Sequence, residues 1–122
     1  MGSSYYLKFG DIRGDVTEPA YRSWIELKSW SWGQRGSSGG LGDWISCYKE
    51  RDSASTALAE ASAHGKVADA VIDAVRESGG VYLRLEMSNA MISSFLWNPQ
   101  GEGLSIAYEK IETKIEPGTP PP

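Results

Sequence analysis

The sequence predicts a mainly β fold, a small β-barrel of two antiparallel sheets with one covering α-helix. Three observations point there. Short segments that alternate apolar and polar residues recur along most of the chain, separated by Gly and Pro clusters. One alanine-rich stretch, DSASTALAEASAHG (52–65), stands apart in helical character. The length of 122 residues suits one core and leaves no room for a second. Residues 1–116 are expected to form the barrel domain, and 117–122 a disordered Pro-rich tail.

The elements follow in order. YYLKF (5–9) is β-rich and ends in GDIRGD, where Gly10 and Gly14 supply turn conformations. TEPAYRS (17–23) carries Pro19, which cannot donate to a ladder. WIELKSWSWG (24–33) resumes period two, but Ile25 and Leu27 occupy odd positions whereas Trp30 and Trp32 occupy even ones. One face holds all four only if a bulge or bend falls near Lys28 and Ser29; otherwise the strand is covered on both faces. GQRGSSGGLG (33–42) is half glycine and reads as a loop. DWISCYKE (43–50) is a strand with Trp44, Ser46 and Tyr48 opposing Ile45, Cys47 and Lys49. In the helical stretch Asp52 or Ser53 offers an N-cap, and Gly65 stands where the helix would close.

KVADAVIDAVRESGG (66–80) is ambiguous, because Val67, Val71 and Val75 fit a spacing of four as well as a spacing of two. Gly79 and Gly80 mark a tight turn. VYLRLEMSNAMISSFLW (81–97) then alternates Leu83, Leu85 and Met87 against Tyr82, Arg84 and Glu86, as a long strand does. NPQGEG (98–103) is a turn cluster, and LSIAYEKIETKI (104–115) is a last strand with a parity change near Glu109.

Composition removes several functions. A net charge of -4 argues against a face that tracks phosphates, so nucleic acid is not an expected partner. No stretch has the apolar length of a membrane span, and MGSSYYLKFG lacks a charged segment followed by an apolar run, so neither membrane anchoring nor a signal peptide is expected. Cys47 is the one cysteine and reads as a small buried hydrophobe. His64 is the one histidine and sits at the helix end, where it favours the last carbonyls. Asp11, Asp15, Asp69 and Asp73 lack calcium-loop spacing, and GQRGSSGGLG is followed by Asp43 where a phosphate loop needs lysine. Glu109 and Glu112 read as solvated charge. No enzyme, metal or cofactor is expected. Five tryptophans keep open a sugar-stacking β-sandwich if their rings prove exposed.

Six segments in order carry a resemblance: YLKFGDIRGD, SWSWG after WIEL, AEASAHGK, VIDAVRESGG before its Gly-Gly turn, VYLRLEMSNAMISSF, and LSIAYEKIE after NPQGEG. Together they resemble the haemolysin-coregulated proteins, tube-forming subunits of the bacterial type VI secretion system. The resemblance spans most of the chain and implies a strand over 67–76. It also implies homohexameric rings that stack into a tube, expelled from the bacterial cytoplasm without a signal peptide. Contractile sheath and spike proteins and lumenal effector cargo are the partners it implies. On that reading Trp30 and Trp32 point into the barrel core, while Ser29 and Ser31 point to the wet channel of the ring. Arg35 and Leu41, in the Gly-rich loop, are expected at the ring interface with the ends of strands 81–97 and 104–115. A tail-tube protein of a phage-like injection particle is the nearest alternative.

Overall fold

The computed structural model describes residues 3–33 and 44–115. Eight strands are present among them: β1 (Ser4–Phe9), β2 (Ile25–Leu27), β3 (Ser29–Gly33), β4 (Trp44–Lys49), β5 (Val67–Val75), β6 (Val81–Asn98), β7 (Gly101–Ala107) and β8 (Lys110–Ile115). One helix, α1 (Ser55–His64), and a 3-10 turn at Pro19–Tyr21 complete the set. The proposed tail lies outside the described residues.

All pairings are antiparallel, in the order β2-β1-β5-β6-β7-β4-β3, with β8 beside β6. Strand β6 is long enough to belong to both halves of the molecule. Its first part pairs β5 on one edge and β8 on the other, and its last part, from Met91 to Asn98, pairs β7. One half is therefore β2-β1-β5-β6 with β8, and the other is β6-β7-β4-β3. The two ends of the path, β2 and β3, are consecutive in the chain with Lys28 between them, and Lys28 N donates to Tyr48 O at 2.7 Å. The fold is β-rich with a single helix, as the sequence predicts, but the barrel is not closed by a ladder: the covalent chain crosses the last seam.

That crossing accounts for the parity break in WIELKSWSWG. Ile25 and Leu27 are buried in β2, which pairs β1; after Lys28 the chain enters β3, which pairs β4. A bend at Lys28 thus lets both segments present their apolar residues to one core. The ambiguous segment is a strand over Val67–Val75 and not a helix. The last segment is two strands, β7 and β8, and the parity change near Glu109 is the corner between them, where Glu109 N donates to Ser88 O at 3.1 Å.

The core collects inward positions of β1, β4, β5, β6 and β7: Leu7 and Phe9, Ile45 and Cys47, Ala70 and Ile72, Leu85 and Met87, Ala90 and Ile92, Leu104 and Ile106. The helix adds Leu58 and Ala61, and Ala54 just before its first residue continues the same stripe toward the sheet. It starts later than its sequence suggests, at Ser55. Asp52 Oδ1 accepts from Ala54 N at 3.0 Å and organises the preceding turn instead of capping the helix directly. At the other end Gly65 takes φ 63, and Lys66 N reaches Ala61 O at 3.0 Å, closing the helix as a left-handed glycine does.

Candidate functional site

Registers place the outward residues of β3, β4, β7 and the end of β6 in rows. Ser31 stands opposite Ser46, Ser46 opposite Ser105, and Ser105 opposite Ser94, so four serines cross four strands in line. The row on one side runs Gly33, Trp44, Ala107, Met91 and Val67; the row on the other side runs Ser29, Tyr48, Gly103 and Leu96. None of these side chains carries a charge. The contrast with the other half is sharp, because its outward rows read Lys8, Val71, Glu86, Glu112 and Tyr6, Asp73, Arg84, Lys114. Strand alternation produces both faces: in β4 and β7 each outward serine is flanked by inward Ile, Leu or Cys.

Ser29 and Ser31 are exposed on this uncharged face. Trp30 and Trp32 are half-buried and pack against the core from the opposite side of β3. Trp30 meets Tyr5 edge-on with centroids 6.4 Å apart, and Trp32 Nε1 donates to Tyr108 Oη at 2.8 Å. Neither indole is fully enclosed, because β3 is an edge strand. On the uncharged face Trp44 Nε1 donates to Ser46 Oγ at 3.0 Å, and the indole covers Gly33, where a Cβ would fall 2.3 Å from ring carbons. The motif SWSWG ends in glycine for that reason. Arg35 and Leu41 lie outside the described residues.

Two edges of this half lack a ladder partner among the described residues: the side of β3 away from β4, and the side of β6 past Met91, where β5 has ended. Such edges present unpaired N–H and C=O groups that another strand can satisfy.

Below the face sits a polar cluster that composition and periodicity do not reveal. Lys49 and Glu102 face each other across β4 and β7, both fully buried at the side chain, with Nζ 2.7 Å from Oε1. Lys49 Nζ also donates to the Glu50 carbonyl at 2.9 Å and lies 2.9 Å from Asp52 Oδ1. Ser55 Oγ donates to Glu102 Oε1 at 2.8 Å, which ties the first turn of α1 to the sheet. Burial alone would raise the Glu102 carboxyl, but Lys49, Ser55 and Arg51 together outweigh it and hold the group below the usual carboxylate range. On the charged half, buried Asp73 accepts from Arg84 Nε at 2.6 Å, Arg84 Nη2 at 2.7 Å and Tyr21 Oη at 2.6 Å. Asp73 thereby raises the Arg84 guanidinium above its ordinary value.

These groups are structural in their chemistry. The Cys47 thiol is buried and pushed up to about 12, far from a neutral-pH nucleophile. His64 is exposed at the end of α1. Glu109 Oε1 accepts from Asn89 Nδ2 at the corner between β7 and β8, and Glu112 is exposed. Of the five indoles, Trp97 alone is more than half exposed, so the several open rings that a sugar-stacking surface needs are not available.

Comparison with known proteins agrees with this architecture. A family model described as "Type VI secretion system effector, Hcp" matches residues 6–115. No curated protein matches the chain in sequence. Among solved structures, Hcp1 from Salmonella typhimurium superposes with a TM-score of 0.81 at 18% identity, over 94% of this chain and 87% of that one. Hcp2 from the same organism gives 0.76 at 20% identity, over 91% and 84%. The cap that terminates the tube of the anti-feeding prophage gives 0.60 at 13% identity, over 92% and 88%. The family model spans nearly the whole described chain, and so the chain belongs to the Hcp family of the type VI secretion system.

Proposed function

We propose that the chain is a tube subunit: copies join head to tail into hexameric rings, the rings stack into the inner tube, and the uncharged sheet half lines the lumen. The row of four serines carries this reading. A surface that must stay wet without gripping a passing partner is served by hydroxyls, which hydrogen-bond water yet offer no charge for a salt bridge. On an acidic chain with 28 ionisable Lys, Arg, Asp and Glu side chains, a sheet face free of them is selective placement. Within this reading Ser29 and Ser31 face the channel, and Trp30 and Trp32 seal the reverse side.

The free edges of β3 and β6 supply the ring contact. They bound the same four strands, so a neighbour's β3 edge laid against β6 continues the sheet and its serine row from subunit to subunit. Arg35 and Leu41 are assigned to the same ring contacts. Effector cargo occupies the channel, the contractile sheath meets the charged outer half, and the spike caps the tube. The protein is made in the bacterial cytoplasm and leaves with the tube. No catalysis is assigned to it.

Ser31→Gln tests the lumen assignment. The longer side chain is expected to leave the melting temperature within about 2–4 °C of the parent, since exposed substitutions change stability by roughly 0.5 kcal/mol at most, and to alter cargo retention alone. A larger drop in melting temperature contradicts an exposed, channel-facing position. The likeness to the anti-feeding prophage cap favours one second reading, a tail-tube protein of a phage-like contractile particle. Co-purification with sheath and spike proteins of a type VI apparatus separates the two.

A further inference from the structure

We infer that stacking is made by a knob-and-socket contact between opposite ends of the serine-bearing sheet half: Trp97, with Arg51, inserts into a depression around Val67 and Met91 on a second copy of this chain. The inference rests on the tube reading and assigns its stacking residues.

The knob stands beside the β6–β7 turn. Trp97 is 54% exposed, while Leu96 beside it in sequence points to the opposite face of β6. Trp97 follows the inward parity of Glu102, its partner in the ladder, but lies past the end of the core. It is nonetheless held in place. The Arg51 guanidinium sits 5.0 Å from its ring centroid, Phe95 meets it edge-on at 6.1 Å, and Arg51 Nε is itself 3.5 Å from Glu102 Oε2. A positioned indole beside an arginine is the pair most enriched where binding energy concentrates, and immobilising it beforehand lowers the ordering cost of contact.

The socket lies at the other end of the same strands. A shallow depression there is lined by Val67, Asn89, Met91, Ala107, Tyr108 and Glu109. Val67 is 57% exposed at its edge. From Met91 to Trp97 the β6 ladder advances six residues, so knob and socket are about 20 Å apart in one molecule and cannot meet within it. A second copy displaced along the strands brings them together, and the free knob and socket left at the two ends accept further copies. Charge favours the same pairing: Arg51 accompanies the knob, and exposed Glu109 stands at the rim of the socket.

The test uses the full chain at rising concentration, with particles viewed by negative-stain microscopy and sized by sedimentation. Trp97→Asp and Val67→Lys are expected each to raise the concentration for stacking at least about tenfold while annular rings persist, because the ring contact is made by main-chain groups of the β6 edge and not by these side chains. Their combination places Asp against Lys across the contact and is expected to recover tubes. Melting curves of both variants are expected to stay near the parent curve, because both positions are more than half exposed. Stacking of either single variant at the parent concentration, or no recovery in the double variant, overturns the contact while leaving the rings. Absence of annuli in the parent protein removes the tube reading, and this contact falls with it.

Discussion

Lys49 occupies an inward position in β4 only because four acceptors surround its ammonium: Glu102 Oε1, Asp52 Oδ1, Ser55 Oγ and the Glu50 carbonyl. The alternation of WISCYK places Ile45, Cys47 and Lys49 on one side, but periodicity gives no reason to bury a lysine. Its partner is 53 residues away, and a pairing that distant exists only once β4 and β7 are in register. Glu102→Gln removes the fully buried counter-charge and leaves Lys49 with Asp52 as its ion partner, so it is expected to cost about 1–3 kcal/mol in denaturant unfolding. The pH dependence has a definite sign. A carboxyl held below its ordinary value in the folded state adds stability that is present above its unfolded pKa and is lost as pH falls through the folded one. The parent melting temperature is expected to fall below about pH 4, and the Glu102→Gln profile to be flatter in that window. Equal slopes for both proteins would contradict the assignment.

Among the elements, the strand corners were legible to different degrees. The corners at Lys28 and near Glu109 both show as parity changes, since apolar residues switch from odd to even positions across the first and from even to odd across the second. The corners within β6 do not show. Buried positions run Leu85, Met87, then Ala90, Ile92, and the ladder with β7 shifts again between Ile92 and Ser94. Small or polar residues, Ser88-Asn89-Ala90 and Ser93-Ser94, occupy the shifts and leave the hydrophobic pattern without a clear break. Asn89 is the residue that signals the first one. It takes φ 52, a left-handed conformation asparagine tolerates better than most residues, and its side chain is tied to Glu109. Asn89→Val puts a β-branched residue there and is expected to cost about 1–3 kcal/mol, whereas Asn89→Gly is expected to cost less; equal losses in equilibrium unfolding would contradict a conformational origin. The segment 67–75 was undecidable for a simpler reason: three valines at a spacing of four satisfy strand and helix alike, and only pairing with β1 and β6 makes it a strand.

For the whole molecule, the distribution of charge is the feature from which function follows. Ser29 and Ser31 are readable from the chain because they alternate with two tryptophans. Ser46, Ser94 and Ser105 are scattered over three other strands and join them only through register and through the bulge at Ser93. A signal was present nonetheless: the polar parity of WISCYK and LSIA holds serine where an exposed strand ordinarily holds lysine or glutamate. An uncharged outward face on one half and a charged one on the other, with β6 shared, is the division on which the proposed channel rests.

Spin-label distances measure that orientation most directly. A single nitroxide is placed by cysteine substitution at Ser105, in the middle of the serine row, and in a separate protein at Glu112, on the charged half; buried Cys47 stays unlabelled in the folded chain. In assembled rings the Ser105 labels are expected to give the shorter nearest-neighbour distance, because they converge on the channel. A shorter distance for Glu112, or no intersubunit distance for either label, would contradict the account.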